Sequence, residues 1–365
     1  MRYTRSGLLG VLLAAAFALA FDACEKSATA PRSDLVFAQV SAGRGTCALT
    51  AAGAAYCWAN SLANGAMGTQ GTPVPVTGGL SFHRLSVGEL HTCGVTAAGV
   101  AYCWGDNQDG QLGIGSSDVS PHAAPEAVTG GLSFATMSAG SRHTCGLTSS
   151  GVAYCWGDNS FGELGSASFI SSSTPVVVAG GLTFTAVSAG GFHTCGLTTA
   201  GAAYCWGANS SGQLGDGTTT GRTSPVPVAG GLTFAAVSPG FDHTCGVTTG
   251  GAAYCWGSNL YRGLGNGSLA GDMTPHPAPG AVAGGQTFQT VSAGNTQTCA
   301  LTAGGAAYCW GFNWYDLLGD GKTTDSSTPA AVAGGFSFAA VSAGEDHTCG
   351  LTRAGAVHCW GGYLS

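Results

Sequence analysis

Fourteen of the 15 cysteines fall into seven pairs, and nine residues separate the two cysteines of every pair. The first cysteines of successive pairs are 46 to 54 residues apart, so the chain repeats itself about every 50 residues. A regular period of this length indicates an array of supersecondary units that bury their core only against each other. The pairs are Cys47 and Cys57, Cys93 and Cys103, Cys145 and Cys155, Cys195 and Cys205, Cys245 and Cys255, Cys299 and Cys309, and Cys349 and Cys359.

Each copy contains four short stretches that are typical of β-strands. In the fourth copy they are residues 184–188, 193–198, 202–206 and 225–228, and a hairpin turn at 199–201 ends in glycine. Glycine supplies 63 of the 365 residues, which weighs against helices, because each glycine costs a helix about 1 kcal/mol relative to alanine. Four strands in seven copies predict an all-β, seven-bladed β-propeller of about 50-residue repeats, with an open solenoid as the alternative.

The fourth copy also contains a longer motif. Gly190 is followed by His193-Thr194, and Gly201 leads through Tyr204 and Trp206 to Gly207, Asn209 and the run Gly212-Gln213-Leu214-Gly215. This pattern resembles the repeat of the regulator of chromosome condensation family, and the resemblance extends over about residues 35 to 363. It implies a propeller whose last blade is completed by a strand from one terminus, here residues 28–35. The copies differ in their fit, since Ala59, Met67 and Gln297 replace the usual residues, and the last copy stops after Trp360-Gly361.

Residues 1–23 are expected to be a signal peptide. Arg2 and Arg5 precede an uncharged apolar run at 8–21, which is too short for a transmembrane helix. Two cleavage sites fit: an A-x-A sequence at 18–20, and residues 21–24, which resemble the lipobox of bacterial lipoproteins and would make Cys24 a lipid anchor. The expected organisation is a signal peptide at 1–23, a short segment at 24–34 and the propeller at 35–365, located outside the cytoplasm as a secreted protein or lipoprotein.

The cysteine pairs are placed for disulfide bonds across hairpins. With a turn at 51–53, residues whose numbers sum to 104 face each other, which puts Cys47 opposite Cys57 at a non-hydrogen-bonded position. Cα atoms at such positions lie about 4.5 Å apart, within disulfide range. In an oxidising compartment, all seven pairs are expected to form disulfides. Zinc is the alternative, because His91 shares a strand face with Cys93 and Cys103, but the first and sixth copies lack the histidine.

Differences between the copies are concentrated at one end of the propeller. Because strand direction alternates, the Gly-x-x-His loops share an end with the long loops that follow the third strands. That end holds 14 of the 15 acidic residues after Asp34, and aromatic residues interrupt them, above all in the fifth and sixth copies. Exposed aromatic and arginine side chains on loops are typical of binding hot spots. The candidate binding residues are Phe161, Phe192, Phe241, Leu260, Tyr261, Arg262, Phe312, Trp314 and Tyr315.

The expected function is a non-enzymatic scaffold that binds a protein or glycan partner through this acidic end. A net charge of −7 with only 11 Lys and Arg excludes a cationic nucleic-acid binder and favours a basic partner. No nucleophile motif or phosphate loop is found, and residues 106–110 lack the spacing of a calcium loop, so no enzyme activity, cofactor or metal is expected. The resemblance leaves two alternatives: guanine-nucleotide exchange on a small GTPase, and enzyme inhibition as by the propeller-type beta-lactamase inhibitor. We expect a monomer that contacts a membrane only through the lipid anchor.

Overall fold

The computed structural model describes residues 35–58, 71–268 and 272–362, which form seven antiparallel sheets, the blades of a β-propeller. Blades 1 and 2 consist of β1 (Phe37–Ala42), β2 (Thr46–Thr50), β3 (Ala55–Trp58), β4 (Val74–Pro75), and β5 (Phe82–Val87), β6 (His91–Thr96), β7 (Ala101–Asn107), β8 (Asp118–Ala127). Blades 3 and 4 consist of β9 (Phe134–Ala139), β10 (His143–Thr148), β11 (Ala153–Gly157), β12 (Ser172–Val177), and β13 (Phe184–Ala189), β14 (His193–Thr198), β15 (Ala203–Gly207), β16 (Arg222–Pro227).

The remaining three blades follow the same order from the inside to the outside of the ring. Blades 5 and 6 consist of β17 (Phe234–Pro239), β18 (His243–Thr248), β19 (Ala253–Asn259), β20 (Asp272–Ala281), and β21 (Thr290–Ala293), β22 (Gln297–Leu301), β23 (Ala307–Gly311), β24 (Ser326–Ala331). Blade 7 has three described strands, β25 (Phe338–Ala343), β26 (Thr348–Thr352) and β27 (Val357–Trp360). Among the described residues, no helix is long and apolar enough to cross a membrane.

The ring closes between blade 7 and blade 1. Strand β1 packs against β25 and β26, as β5 packs against β1 and β2. The amide of Phe37 donates to the Gly355 carbonyl (2.9 Å), and the equivalent bond joins Phe82 to Gly53 between blades 1 and 2 (2.8 Å). The propeller prediction is therefore confirmed over the open solenoid. The predicted signal peptide, the lipidation of Cys24 and the closing strand at 28–35 fall outside the described residues, apart from position 35 itself.

The predicted strands of the fourth copy are present, and the outermost strand differs most from its predicted bounds. Strand β16 begins at Arg222, three residues before the predicted start, because Arg222 pairs with Gly207 beyond a bulge in the β15–β16 ladder. The hairpin turn is as predicted: Thr198 N–H donates to Ala202 O (3.0 Å). Gly201 takes φ +76° there, a backbone conformation that costs glycine little.

All seven predicted cysteine pairs are disulfides in the structure. Cys47 faces Cys57 and Leu49 faces Ala55, which is the predicted register. The seven Cα–Cα distances are 4.0–4.1 Å, as short as those of non-hydrogen-bonded pairs. The zinc alternative requires free thiolates, which a disulfide does not supply. The bonds join Cys47 to Cys57, Cys93 to Cys103, Cys145 to Cys155, Cys195 to Cys205, Cys245 to Cys255, Cys299 to Cys309 and Cys349 to Cys359.

The hydrophobic core lies between the blades rather than within them. In one such layer, the Cys145–Cys155 disulfide of blade 3 packs with Phe184 and Trp206 of blade 4. The Trp206 indole is fully buried, and its Nε1–H donates to the Glu163 carbonyl of blade 3 (2.8 Å). Burial of a side chain this large stabilises a fold by roughly 2–3 kcal/mol. Each blade therefore depends on its neighbour for its core.

Candidate binding face

The Gly-x-x-His loops and the long loops after the third strands form one end of the propeller, which we call the loop face. The two kinds of loop are bonded to each other: Ala208 N–H donates to Phe192 O (2.8 Å), and Asp158 N–H donates to Arg142 O (2.9 Å). This confirms that the two sets of loops share an end. The aromatic and acidic residues of these two sets of loops therefore lie at the same end of the propeller.

A buried asparagine lies at the start of the long loop in blades 2 to 6. Asn209 is 1% exposed, and its Nδ2 donates to the carbonyls of Thr218 (3.1 Å) and Thr220 (3.0 Å). Its Oδ1 accepts the amide of Leu214 (3.0 Å), which holds the start of the loop against the end. Asn159 makes the same three kinds of bond in blade 3. Because the side chain of the asparagine supplies these bonds, the residues directly after it, such as Ser160 and Phe161 in blade 3, are free to vary and are exposed.

Five blades carry a repeat histidine that joins the blade to the next one. His193 Nε2 lies 2.7 Å from Thr244 Oγ1, whose hydroxyl proton goes to the Gln213 carbonyl (2.8 Å). The imidazole therefore donates through Nε2. Burial, and then the neighbouring histidines His243 and His143, lower the pKa of His193 to about 3. His347 closes this set of bonds on Thr46 of blade 1 (2.6 Å). These histidines hold the blades together.

Seven glycines surround the mouth of the central channel at the loop face. In each blade the residue after this glycine donates its amide to the glycine carbonyl of the next blade, over 2.9–3.2 Å, and Glu345 closes the ring on Gly43. A methyl group on any of them would collide with the next carbonyl oxygen. The glycines are Gly43, Gly88, Gly140, Gly190, Gly240, Gly294 and Gly344. They line a cavity of about 130 Å³.

Three of the candidate binding residues form a row across blades 3 to 5. The ring centroids of Phe161 and Phe192 are 5.5 Å apart, and those of Phe192 and Phe241 are 5.0 Å apart, both edge to face. Phe161 is 48% exposed at the outer end, and Phe241 lines the channel mouth at the inner end. We call these three residues the inner aromatic row.

A second group of candidates lies on blades 5 and 6. Tyr261 contacts Phe312 edge to face (5.6 Å between centroids), and Phe312 stacks on Trp314 (5.5 Å). Tyr261 and Trp314 are 41% and 61% exposed. We call these three residues the outer aromatic cluster. The neighbouring candidates Leu260 and Tyr315 are also exposed.

The backbone is strained at residues next to the outer aromatic cluster. Arg262 and Asp316 occupy the position of Gly212 in blade 4, and they take the same left-handed conformation, with φ +63° and +57°. Tyr315 has φ +65°. A residue other than glycine pays about 1 kcal/mol or more for such a conformation. Arg262, one of the candidate binding residues, also forms an ion pair with Asp325 of the next blade. Its charge is therefore offset within the chain.

The loop face has more acidic than basic residues. Each of its five basic residues lies near a carboxylate, so each positive charge is offset by a negative one. The pairs are Arg44–Glu345 (4.0 Å), Arg142–Asp109 (3.3 Å), Arg222–Asp216 (2.8 Å), Lys322–Asp320 (3.7 Å) and Arg262–Asp325. Nine of the 14 acidic residues at this end remain without such a pair among the described residues. The loop face therefore carries an excess of negative charge.

Glu163 is a residue that the sequence analysis missed. It is 1% exposed, and its Oε2 accepts the amide of Phe161 (2.9 Å). Gln111 and Gln213 make the same bond in blades 2 and 4. Burial raises the pKa of Glu163 to about 7. The signal was present in the sequence, since a glutamate stands where aligned copies have glutamine.

Family comparisons agree with this architecture, which is that of a propeller built from disulfide-bonded, histidine-linked repeats. The model of the regulator of chromosome condensation (RCC1) repeat matches residues 98–147, 150–197, 200–247 and 250–301, more than half of the chain. A second model of the same repeat matches residues 82–111, 134–163, 184–213, 234–262 and 338–362. The chain belongs to the RCC1 repeat family.

Individual relatives are more distant. The ultraviolet-B receptor UVR8 of Arabidopsis thaliana is 30% identical over 98 residues, which is 26% of this chain and only 22% of the receptor. Human WBSCR16 has a TM-score of 0.78 at 19% identity, over 91% of this chain and 88% of that one. Prp20p from Saccharomyces cerevisiae, described with its binding properties to Gsp1p and histones, has a TM-score of 0.71 at 18% identity, over 88% and 81% of the two chains. At these identities the likeness shows the fold alone.

Proposed function

We propose that the protein is a non-enzymatic, extracytoplasmic binding scaffold whose loop face engages a basic protein or glycan partner. The observation that carries the proposal is the outer aromatic cluster, where Tyr261 and Trp314 are exposed on a face with excess negative charge. Exposed aromatic side chains beside charged groups are the usual composition of a binding hot spot.

Strain at the same loops supports this proposal. Arg262, Tyr315 and Asp316 adopt conformations in which glycine costs less, and glycine stands at the Arg262 and Asp316 positions in blade 4. Strained backbone tends to persist at functional sites, because folding stability alone favours the unstrained residue. The strain therefore favours a functional role for the loops of blades 5 and 6 over a purely structural one.

The proposed location rests on the disulfides. Seven disulfides fit an extracytoplasmic location, since thiols stay reduced in most cytosolic proteins. Prp20p binds Gsp1p, but it shares the fold at 18% identity, which gives no support for nucleotide exchange by this chain. A partner outside the cytoplasm fits the disulfides better than a cytosolic GTPase does. Lipidation of Cys24 remains a prediction.

Alanine substitution of Tyr261, Trp314 and Tyr315 tests the proposal. The immobilised protein and the triple variant are exposed to an envelope and secreted extract of the native host, and bound proteins and glycans are quantified by mass spectrometry. We expect the variant to keep its melting temperature and to lose at least about tenfold in capture of the bound partner, because truncation of hot-spot aromatics costs more than about 1 kcal/mol each.

The matched control is Phe336→Ala. Phe336 is 43% exposed in the connection between blades 6 and 7, at the end opposite the loop face. Its removal should leave capture unchanged. Equal capture by the wild type and the triple variant, with loss of capture in the Phe336 variant, would place the binding surface at the other end and refute the proposal.

A further inference from the structure

The mouth of the central channel is chemically divided. After the ring glycines of blades 7, 1 and 2 come Glu345, Arg44 and Glu89. On the other side of the ring, Phe241 of blade 5 lines the same cavity. The cavity therefore has one charged wall and one apolar wall.

The charged wall contains a carboxylate that lacks a hydrogen-bond partner. Glu345 Oε2 is buried, and within the described residues it accepts no hydrogen bond. Arg44 Nε is 4.0 Å away, too far for a hydrogen bond, and the Arg44 side chain is 46% exposed. Burial, and then the charge of Glu89, raise the pKa of Glu345. A buried acceptor without a donor is costly, and because the Glu345 side chain as a whole is 36% exposed, it gains this hydrogen bond by turning toward a donor at the mouth.

The apolar wall continues beyond the cavity. Phe241 is the inner end of the inner aromatic row, with Phe192 5.0 Å away and Phe161 beyond it. A side chain that enters the mouth thus has its charge on one side and hydrocarbon contact on the other. Lysine and arginine have this construction, a charged head on an aliphatic stem.

We propose that the channel mouth receives a lysine or arginine side chain of the partner, with its charge beside Glu89 and Glu345, which outnumber Arg44 at the mouth, and its stem against Phe241. This inference rests on the proposed function and narrows the partner to a protein with a basic side chain beside apolar surface, in preference to a glycan. An organic cation fits better than a metal ion, because no cluster of three or more metal-ligating side chains occurs among the described residues. Apart from Gly344 O, which also accepts a bond from Gln297, the ring carbonyls keep a second lone pair among the described residues, which suits a group that only donates.

The test uses two small probes that differ in charge but hardly in shape: Nα-acetyl-lysine methylamide and Nα-acetyl-norleucine methylamide. Each is titrated into the full protein, and amide resonances are followed by NMR. We expect the lysine probe to shift the amides of Gly344, Glu345 and Phe241, and the norleucine probe to shift Phe241 only. The double variant Glu89→Gln and Glu345→Gln should bind the lysine probe at least about fivefold more weakly, since it removes both opposing charges.

The control is the double variant Asp109→Asn and Asp316→Asn, which removes two carboxylates of the loop face away from the mouth. It has the same net charge as the first double variant, so it separates position from overall charge. Unchanged lysine binding in this control supports the inference. Equal weakening in both double variants, or no shift at the mouth in the wild-type protein, overturns it. Neither result affects the alanine test of the outer aromatic cluster, so the proposed function stands or fails separately.

Discussion

At the scale of single residues, the aligned copies serve as controls for each other. Position 163 is the clearest case, because a buried glutamate makes the bond that Gln111 and Gln213 make in other blades. The geometry is kept, but the group has become ionisable. Burial raises the pKa of Glu163 from 4.5 to about 7. The folded state therefore keeps the proton between pH 4.5 and 7, where the unfolded state has lost it, and the stability from this proton is lost as the pH rises to 7.

Glu163→Gln should consequently stabilise the protein at alkaline pH. Each pH unit between the two pKa values corresponds to about 1.4 kcal/mol, so we expect a gain of up to about 3 kcal/mol at pH 8 and little change at pH 4.5. Urea denaturation at the two pH values measures this. A gain of equal size at both would show that packing, not ionisation, distinguishes the two side chains.

The buried histidines act in the opposite direction. The pKa of His91 and His193 is lowered to about 3 and that of His143 to about 4, chiefly by burial. Below pH 6.5 the unfolded chain takes up these protons and the folded chain does not. Stability is therefore fully present above pH 6.5 and is lost as the pH falls toward 3.

His193→Gln should make the stability less dependent on pH. Gln297 occupies this position in blade 6 and donates to Gly344 O (3.2 Å), so glutamine has a precedent in the chain. Between pH 6.5 and 4 we expect the slope of unfolding free energy against pH to fall by up to about 1.4 kcal/mol per pH unit. Denaturation midpoints at pH 6.5, 5.5 and 4.5 give the slope. An unchanged slope would mean that His193 is protonated in the folded protein.

At the scale of elements, the blades are held in register by bonds from one blade to the next. Besides the histidines and the ring glycines, serine hydroxyls of the innermost strands accept amides of the next blade, as Ser138 does from Ala189 (2.9 Å). Pro239 has no amide hydrogen, so the bond cannot form from blade 5 to Ser188 of blade 4. Several independent sets of contacts thus hold neighbouring blades close together.

Gly240→Ala tests one of the close contacts of the glycine ring. Its Cβ would lie 2.5 Å from Gly294 O and 2.9 Å from the His243 ring, so the blades must separate to accept it. We expect a loss of about 2–3 kcal/mol in thermal or chemical denaturation. Gly71→Ala is the control, because no atom lies within 4 Å of its Cβ, and it should change stability by less than about 0.5 kcal/mol. Similar losses in both variants would contradict a steric role of the ring.

The strands and hairpins of the blades were largely predictable from the sequence. The constant cysteine spacing sets the hairpin register, which the Cys47–Cys57 pairing confirms. The outer strands were less predictable, since β8 and β20 each extend over ten residues with bulges that no local pattern announces. Long-range juxtaposition was least predictable: Glu89 and Glu345 meet only because the ring brings blades 2 and 7 to one mouth.

At the scale of the whole molecule, the sequence predicts that the candidate binding residues lie at one end, and the structure divides them into two groups. The inner aromatic row exists because Phe161, Phe192 and Phe241 belong to three successive blades, and their contacts follow from blade packing. The outer aromatic cluster could be anticipated from the matching loop positions of the fifth and sixth copies. The backbone strain next to this cluster could also be anticipated, because Arg262 and Asp316 occupy a position where other copies have glycine.

Site-specific photo-crosslinking in the native host shows directly whether the loop face is the surface that contacts the partner. A photoreactive amino acid is placed at position 261 or 314 on the loop face, or at position 336 at the opposite end. We expect a crosslinked partner from positions 261 and 314 and none from position 336, with the yield falling as salt is raised, since the face is acidic. A partner crosslinked from position 336 alone would contradict the claim that the loop face is the binding surface.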